Sequence, residues 1–180
     1  IAIHLAQTGS EVLLLDLPAK EGPRNSVAEG ALKAAMKSKP SPIYSKRFAN
    51  RITCGNFDDD LSKIHEYDWI LEVIVERLDI KQGLFERVEE HRKLGTLITS
   101  NTSGIPISQL SEGRSEDFQK HFCGTHFFNP PRYLQLFEVI PGPNTDSRVI
   151  DFFMSYGESV LGKQSVLCKD TPAFIANRVG

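Results

Sequence analysis

Apolar positions along the chain alternate between two spacings: short branched runs of strand length, and longer stretches with helical periodicity. Ile1–Thr8 reads as a helix closed by Gly9 in a left-handed cap. Val12–Leu15 has the length and branching of a buried parallel strand, and Asp16 closes it. Ser26–Lys39 carries Val27, Ala31, Leu32 and Ala35 at helical spacing until Pro40 and Pro42 stop it. Arg51–Cys54 and Asp68–Val75 predict two further strands, the second interrupted by the single acid Glu72. The next helix presents Ile80, Leu84 and Val88, with Phe85 beside them. Thr96–Thr99 predicts a strand, followed by the turn Ser100–Gly104 and helices near Pro106–Leu110 and Glu116–His121. Strands at Cys123–Phe128 and Gln135–Ile140 are joined by Asn129-Pro130-Pro131-Arg132. Thr145 or Asp146 caps a helix carrying Val149, Ile150, Phe153, Val160 and Leu161 as far as Gly162, before a last strand at Ser165–Cys168 and a new helix after Pro172. Strands alternating with helices give an α/β fold with a doubly wound, mostly parallel sheet covered on both faces.

Composition narrows the function. Basic and acidic side chains number 21 and 23, for a net charge of -2, which argues against a nucleic-acid binder, whose affinity needs a basic face. No apolar stretch approaches the ~20 residues of a membrane span. Cys54, Cys123 and Cys168 are far apart within apolar runs, so buried thiols in a reducing compartment fit better than disulfides; no Cys/His pair has zinc-ligand spacing, and no metal is expected. The 180 residues suit one domain, yet the chain begins at Ile1 in mid-pattern and reads as a piece of a longer one.

Four places can carry chemistry. An acid at the end of the second strand of a doubly wound fold accepts ribose hydroxyls and repels a 2′-phosphate, which favours NAD; Asp16 is that acid or merely ends a strand. Ser100–Gly104 follows a strand at the end where ligands bind, and is either a polar site lining or an ordinary turn. His126 and Glu138 stand at mirrored places in two adjacent strands, and are either satisfied polar groups of the core or a pair in which the carboxylate fixes the imidazole tautomer and stabilises the imidazolium of a general base. The cluster Lys33, Lys37, Lys39, Lys46, Arg47 and Arg51 is a solvated face or a site for the phosphates of a long anion.

The phrases LEVIVERLDIKQGLFERVE, SNTSGIPISQL, GTHFFNPPRYLQLFEVIPG and KDTPAFIANRVG, in that order, resemble the L-3-hydroxyacyl-CoA dehydrogenases of fatty-acid β-oxidation, and among them the bacterial multifunctional fatty-oxidation type. That resemblance implies a Rossmann-like fold without its first strand and glycine-rich turn, whose central place leaves a gap in the sheet unless another segment fills it, and without the C-terminal helical domain. Residues 1–171 would be the NAD-binding domain and 172–180 the start of the helical one. It implies His126 as catalytic base, Glu138 as its partner, Ser103, Asn129 and Asn177 at the substrate, Asp16 at the adenosine ribose, and Glu76 and Lys81 at the nicotinamide half of NAD. One of Lys33, Lys37 or Lys39 would meet the CoA phosphates. The implied reaction is NAD-dependent oxidation of (S)-3-hydroxyacyl-CoA to 3-ketoacyl-CoA, in the cytoplasm, by a homodimer or a multifunctional complex. A non-catalytic relative that keeps only the fold, or a dehydrogenase of another hydroxy acid, are the competing readings.

Overall fold

Among the described residues seven strands form two ladders rather than one continuous sheet. The computed structural model describes residues 1–179, and these divide into two compact units, residues 1–64 with 129–134, and residues 65–128 with Gln135 onward. Among them no helix is long and apolar enough to cross a membrane.

In the first unit, α1 (Ala2–Gln7) ends at Gly9, whose φ of +114° is open to glycine at little cost. Strand β1 (Val12–Asp16) pairs in parallel with β2 (Ile52–Asn56), Val12 opposite Ile52 and Asp16 opposite Asn56. Between them α2 (Ser26–Ala35) is shorter than its apolar pattern predicts. The Ser38 hydroxyl donates to the Ala35 carbonyl at 2.7 Å, so the helix closes well before Pro40. Its buried residue is Ala28, with Leu32 and Ala35 half-buried behind it, while Val27 and Ala31 are exposed. Arg132 fastens the 129–134 turn to the loop after α2. It donates to the carbonyls of Ser41 (2.7 Å) and Ile43 (3.2 Å) and lies 3.6 Å from the Tyr44 ring centroid.

The second unit holds β3 (Trp69–Glu72), α3 (Leu78–His91), β4 (Leu97–Ser100), α4 (Ile107–Leu110) and α5 (Glu116–Lys120). It continues with β5 (Phe122–Phe127), β6 (Leu136–Pro141), α6 (Ser147–Ser159), β7 (Gln164–Leu167) and α7 (Ala176–Val179). The strand order is β3-β4-β5-β6-β7, parallel except for the antiparallel β5–β6 pair. Asp146 is the α6 cap, its carboxylate accepting from the Arg148 N–H, while the Thr145 hydroxyl donates to the Phe122 carbonyl. Phe85, Phe118 and Phe122 pack edge and tilted at 5.1 to 5.6 Å, joining α3, α5 and β5 in one aromatic core.

Two expectations are corrected here. Strand β3 ends at Glu72 and not at Val75, because the Glu72 carboxylate accepts the Ile74 N–H at 2.6 Å and turns the backbone out of the ladder. Val73 and Val75 are accordingly exposed. On α3 the buried row is Lys81, Phe85 and Val88, whereas Ile80 is 40% exposed. An amphipathic lysine stem occupies a core position that a count of apolar residues passes over.

Candidate active site

The β5–β6 ladder sets His126 directly opposite Glu138, and cross-strand partners share one face of a sheet. Both side chains are buried, with Nδ1 of His126 2.8 Å from Oε2 of Glu138. A carboxylate only accepts, so Nδ1 carries the proton and the lone pair of Nε2 is left outward. That nitrogen lies 3.2 Å from the Ser103 hydroxyl. The ring is flanked by Phe128 and Phe174, at 4.4 and 6.1 Å between centroids.

Oε1 of Glu138 is equally committed. It accepts the backbone N–H groups of Ile175 (3.1 Å) and Ala176 (2.9 Å) at the start of α7. The Lys169–Asn177 segment is thereby fastened to the site in three places. Asp170 accepts from the N–H groups of Ile107 (2.7 Å) and Ser108 (2.9 Å) at the start of α4, and Asn177 Nδ2 donates to the Ser103 carbonyl at 3.3 Å. Ala173 and Phe174 take φ of +64° and +47°, an unusual conformation for residues with a side chain, and the bend buries Phe174 beside the imidazole. The Cys168 thiol is pushed up to about 12 by burial first and by the Glu138 carboxylate second, so it stays protonated at neutral pH.

Ser103 is exposed, but the turn around it is held from below. Glu76 Oε1 accepts from the Thr102 hydroxyl and from the N–H groups of Ser103 (2.9 Å) and Gly104 (3.1 Å). Desolvation pushes the Glu76 carboxyl up, but these hydrogen bonds and nearby Lys81 outweigh it and hold the group below its ordinary value. Lys81 is 1% exposed, with its ammonium 2.6 Å from Glu72 Oε1, 3.3 Å from the Ile74 carbonyl and 3.3 Å from Glu76 Oε2. Its three hydrogens thus have protein acceptors, and Glu76 is the member of the pair with a face to solvent.

The structure therefore gathers His126, Glu138, Ser103 and Asn177, with Glu76 and Lys81 behind the Ser103 turn. Asp16 and Asn129 belong to the first unit. Asp16 ends β1 half-buried; its Oδ1 accepts the Leu17 N–H at 2.7 Å, and among the described residues no cation pairs with it. Such a carboxylate fits the hydroxyls of an adenosine ribose. Asn129 is exposed and precedes the cis Pro130. Lys33, Lys37 and Lys39 all face solvent. Glu72, Asp170 and Phe174 are structural partners of the site that sequence reading did not single out. Glu72 left a signal as the lone acid in an apolar strand, and Asp170 and Phe174 only as members of the phrase KDTPAFIANRVG.

The sequence matches the family "3-hydroxyacyl-CoA dehydrogenase, NAD binding domain" over residues 1–171. It is 48% identical to a probable 3-hydroxyacyl-CoA dehydrogenase of Bacillus subtilis, across 100% of this chain and 25% of that protein. A protein of the same name from Deinococcus radiodurans is 48% identical across 100% of this chain and 52% of its own length. The 3-hydroxybutyryl-CoA dehydrogenase structure from Escherichia coli superimposes with a TM-score of 0.83 at 30% identity, covering 99% of this chain and 37% of that one. This chain thus spans a quarter to about half of these relatives. It belongs to the NAD-binding domain family of the 3-hydroxyacyl-CoA dehydrogenases.

Proposed function

We propose that this chain is the cofactor-binding and proton-transfer domain of an enzyme that oxidises (S)-3-hydroxyacyl-CoA to 3-ketoacyl-CoA with NAD. The observation that carries the reading is the His126–Glu138 pair with Nε2 turned toward Ser103. Residues 1–171 make up the cofactor domain, and 172–180 begin a helical domain. Asp16 would hold the adenosine ribose, and Glu76, through its solvent-facing side, the nicotinamide half. Lys81 would serve the cofactor by holding Glu76. Bound NAD would supply the hydride acceptor.

The chain's own residues handle the proton. Nε2 of His126 accepts it from the substrate 3-hydroxyl, a role that requires the tautomer Glu138 imposes. The carboxylate then faces an imidazolium with which it forms a charge-assisted hydrogen bond. Ser103 donates toward the same oxygen and Asn177 completes its surroundings, so that the reacting atoms are held in line. Phe128 and Phe174 limit water around the ring. One of Lys33, Lys37 or Lys39 would meet CoA phosphates. The enzyme would work in the cytoplasm, as a homodimer or within a multifunctional complex.

NADH consumption with acetoacetyl-CoA by the full-length enzyme tests the reading. Turnover of the CoA ester is expected. Activity with free hydroxy acids alone would favour a different dehydrogenase, and no turnover of either would favour a non-catalytic relative.

A further inference from the structure

Glu72 is 3% exposed and sits in the last position of β3, opposite Ser100 at the start of the Ser100–Gly104 turn. A buried carboxylate in an apolar strand is costly unless each lone pair has a partner. Apart from the Ile74 N–H, which Oε1 accepts at 2.6 Å, its side-chain partners lead to the turn. Oε2 accepts from the Ser100 hydroxyl, whose oxygen in turn accepts the Thr102 N–H at 3.2 Å. Oε1 accepts from Lys81 at 2.6 Å, and Lys81 reaches Glu76 Oε2 at 3.3 Å. Glu76 Oε1 then takes the Thr102 hydroxyl and the N–H groups of Ser103 and Gly104. Even the Glu72 backbone carbonyl joins in, accepting the Asn101 N–H at 2.9 Å, while Asn101 Oδ1 accepts the N–H of Phe127, next to His126.

Two lines therefore run from one buried carboxylate into consecutive residues of one turn. The single ammonium of Lys81 stands between two carboxylates and draws them together, which a neutral hydrogen-bond chain would not do. We propose that Glu72 is a positioning residue that, through Ser100 on one side and Lys81–Glu76 on the other, holds the Ser103 hydroxyl at hydrogen-bonding distance from His126. The role rests on the reading of His126 as the base, but the rigidity of the turn is measurable without turnover.

In the full-length enzyme, Glu72→Gln is expected to speed amide exchange at Ser103 and Gly104 by at least about tenfold. It should lower kcat by at least about tenfold with little change in the KM for NAD, because a small misplacement of a catalytic contact is expensive. If Glu72 acts through Ser103, the Glu72→Gln/Ser103→Ala pair should turn over no more slowly than Ser103→Ala alone. Unchanged exchange, or losses that multiply in the pair, would overturn the proposal. Should Glu72→Gln fail to fold, Ser100→Ala removes the hydroxyl between Glu72 and the Thr102 amide and is read by the same exchange. An enzyme without 3-hydroxyacyl-CoA turnover whose exchange still accelerates would refute the proposed reaction and support the positioning role.

Discussion

Oε2 of Glu138 meets Nδ1 of His126 at 2.8 Å, while Oε1 of the same carboxylate is already taken by the N–H groups of Ile175 and Ala176. Two acceptor oxygens serve three donors on opposite sides. A glutamine has only one oxygen, so Glu138→Gln must turn its NH2 either against the two backbone N–H groups or against Nδ1. The second choice is the cheaper, and it moves the imidazole proton to Nε2, the atom that has to accept. Glu138→Gln should therefore lower kcat of the full-length enzyme by about 10³ to 10⁴, as a wrong tautomer does elsewhere, with NAD affinity little changed. His126→Ala should lose at least as much. Steady-state rates and NAD titration of both variants check this, and near-normal turnover would remove the pair from the mechanism.

Asp16 offers a second test, on the cofactor. Its carboxylate ends a parallel strand without a cation partner among the described residues, so its charge is available to ribose hydroxyls and hostile to a 2′-phosphate. Asp16→Ala should weaken NAD binding by about tenfold while leaving NADP binding unchanged or improved. Isothermal titration with the two dinucleotides measures the ratio. A variant that keeps the parent preference would show that another group selects the cofactor.

Much of this arrangement was legible in the residues, and the failures have definite causes. The strand pair bearing His126 and Glu138 could be read because both residues interrupt apolar runs, and a short connection makes neighbours of consecutive strands. The alternation of strands with helices was legible because runs such as Val12–Leu15 and Trp69–Leu71 are apolar and bounded by polar residues, although β2 (Ile-Thr-Cys-Gly-Asn) and β7 (Gln-Ser-Val-Leu) are not such runs. The α3 face was misread because Lys81 counts as polar although its stem packs in the core and its charge is answered by Glu72. The length of β3 was misread because the Glu72 side chain captures its own downstream backbone. Asp170 entered only within the phrase KDTPAFIANRVG, with nothing to say what it bonds. Its partners, Ile107 and Ser108, lie more than sixty positions away in the chain, and only the folded structure brings them together.

The three thiols should differ in access but agree in inertness. Burial raises Cys123 and Cys168, the latter to about 12, and Cys54 is raised by partial burial and by Glu29. A raised thiol is protonated at pH 8, and the thiolate is the reactive form. Native protein at pH 8 should react with a disulfide reagent slowly at Cys54 and not measurably at Cys123 or Cys168, whereas denatured protein should titrate all three. Fast native labelling of Cys168, located by peptide mapping, would contradict its placement beside Glu138.

Glu76 predicts an acid-sensitive turn. Its folded value lies below the ordinary one, so its contribution to stability is fully present above the unfolded value of about 4.3 and is lost as pH falls through the folded value. Protonation removes an acceptor from Thr102, Ser103 and Gly104. Amide protection at Ser103 and Gly104, corrected for the intrinsic rate, should fall below about pH 4 more steeply than protection in β5. In Glu76→Gln the same protection should be lower at neutral pH and nearly independent of acid in that window. Parallel loss in both segments would mean that global unfolding, not Glu76, sets the acid limit.

Gly157 on α6 tests the packing that supports β6 from the far side. A Cβ at this position would overlap the Ser165 hydroxyl and come within 2.8 Å of the Phe137 ring, and Phe137 is fully buried in the strand that carries Glu138. Phe137 is also held by Phe127, whose ring lies tilted with its centroid 4.8 Å away. Helix propensity alone would favour alanine by about 1 kcal/mol. The overlap opposes this, and overpacking of a tight core costs about 1 to 3 kcal/mol, so the net effect of Gly157→Ala should be destabilising. Denaturant unfolding should show a lower midpoint with an unchanged slope. If the variant is instead stabilised, the contact of α6 with β6 is looser than these distances require.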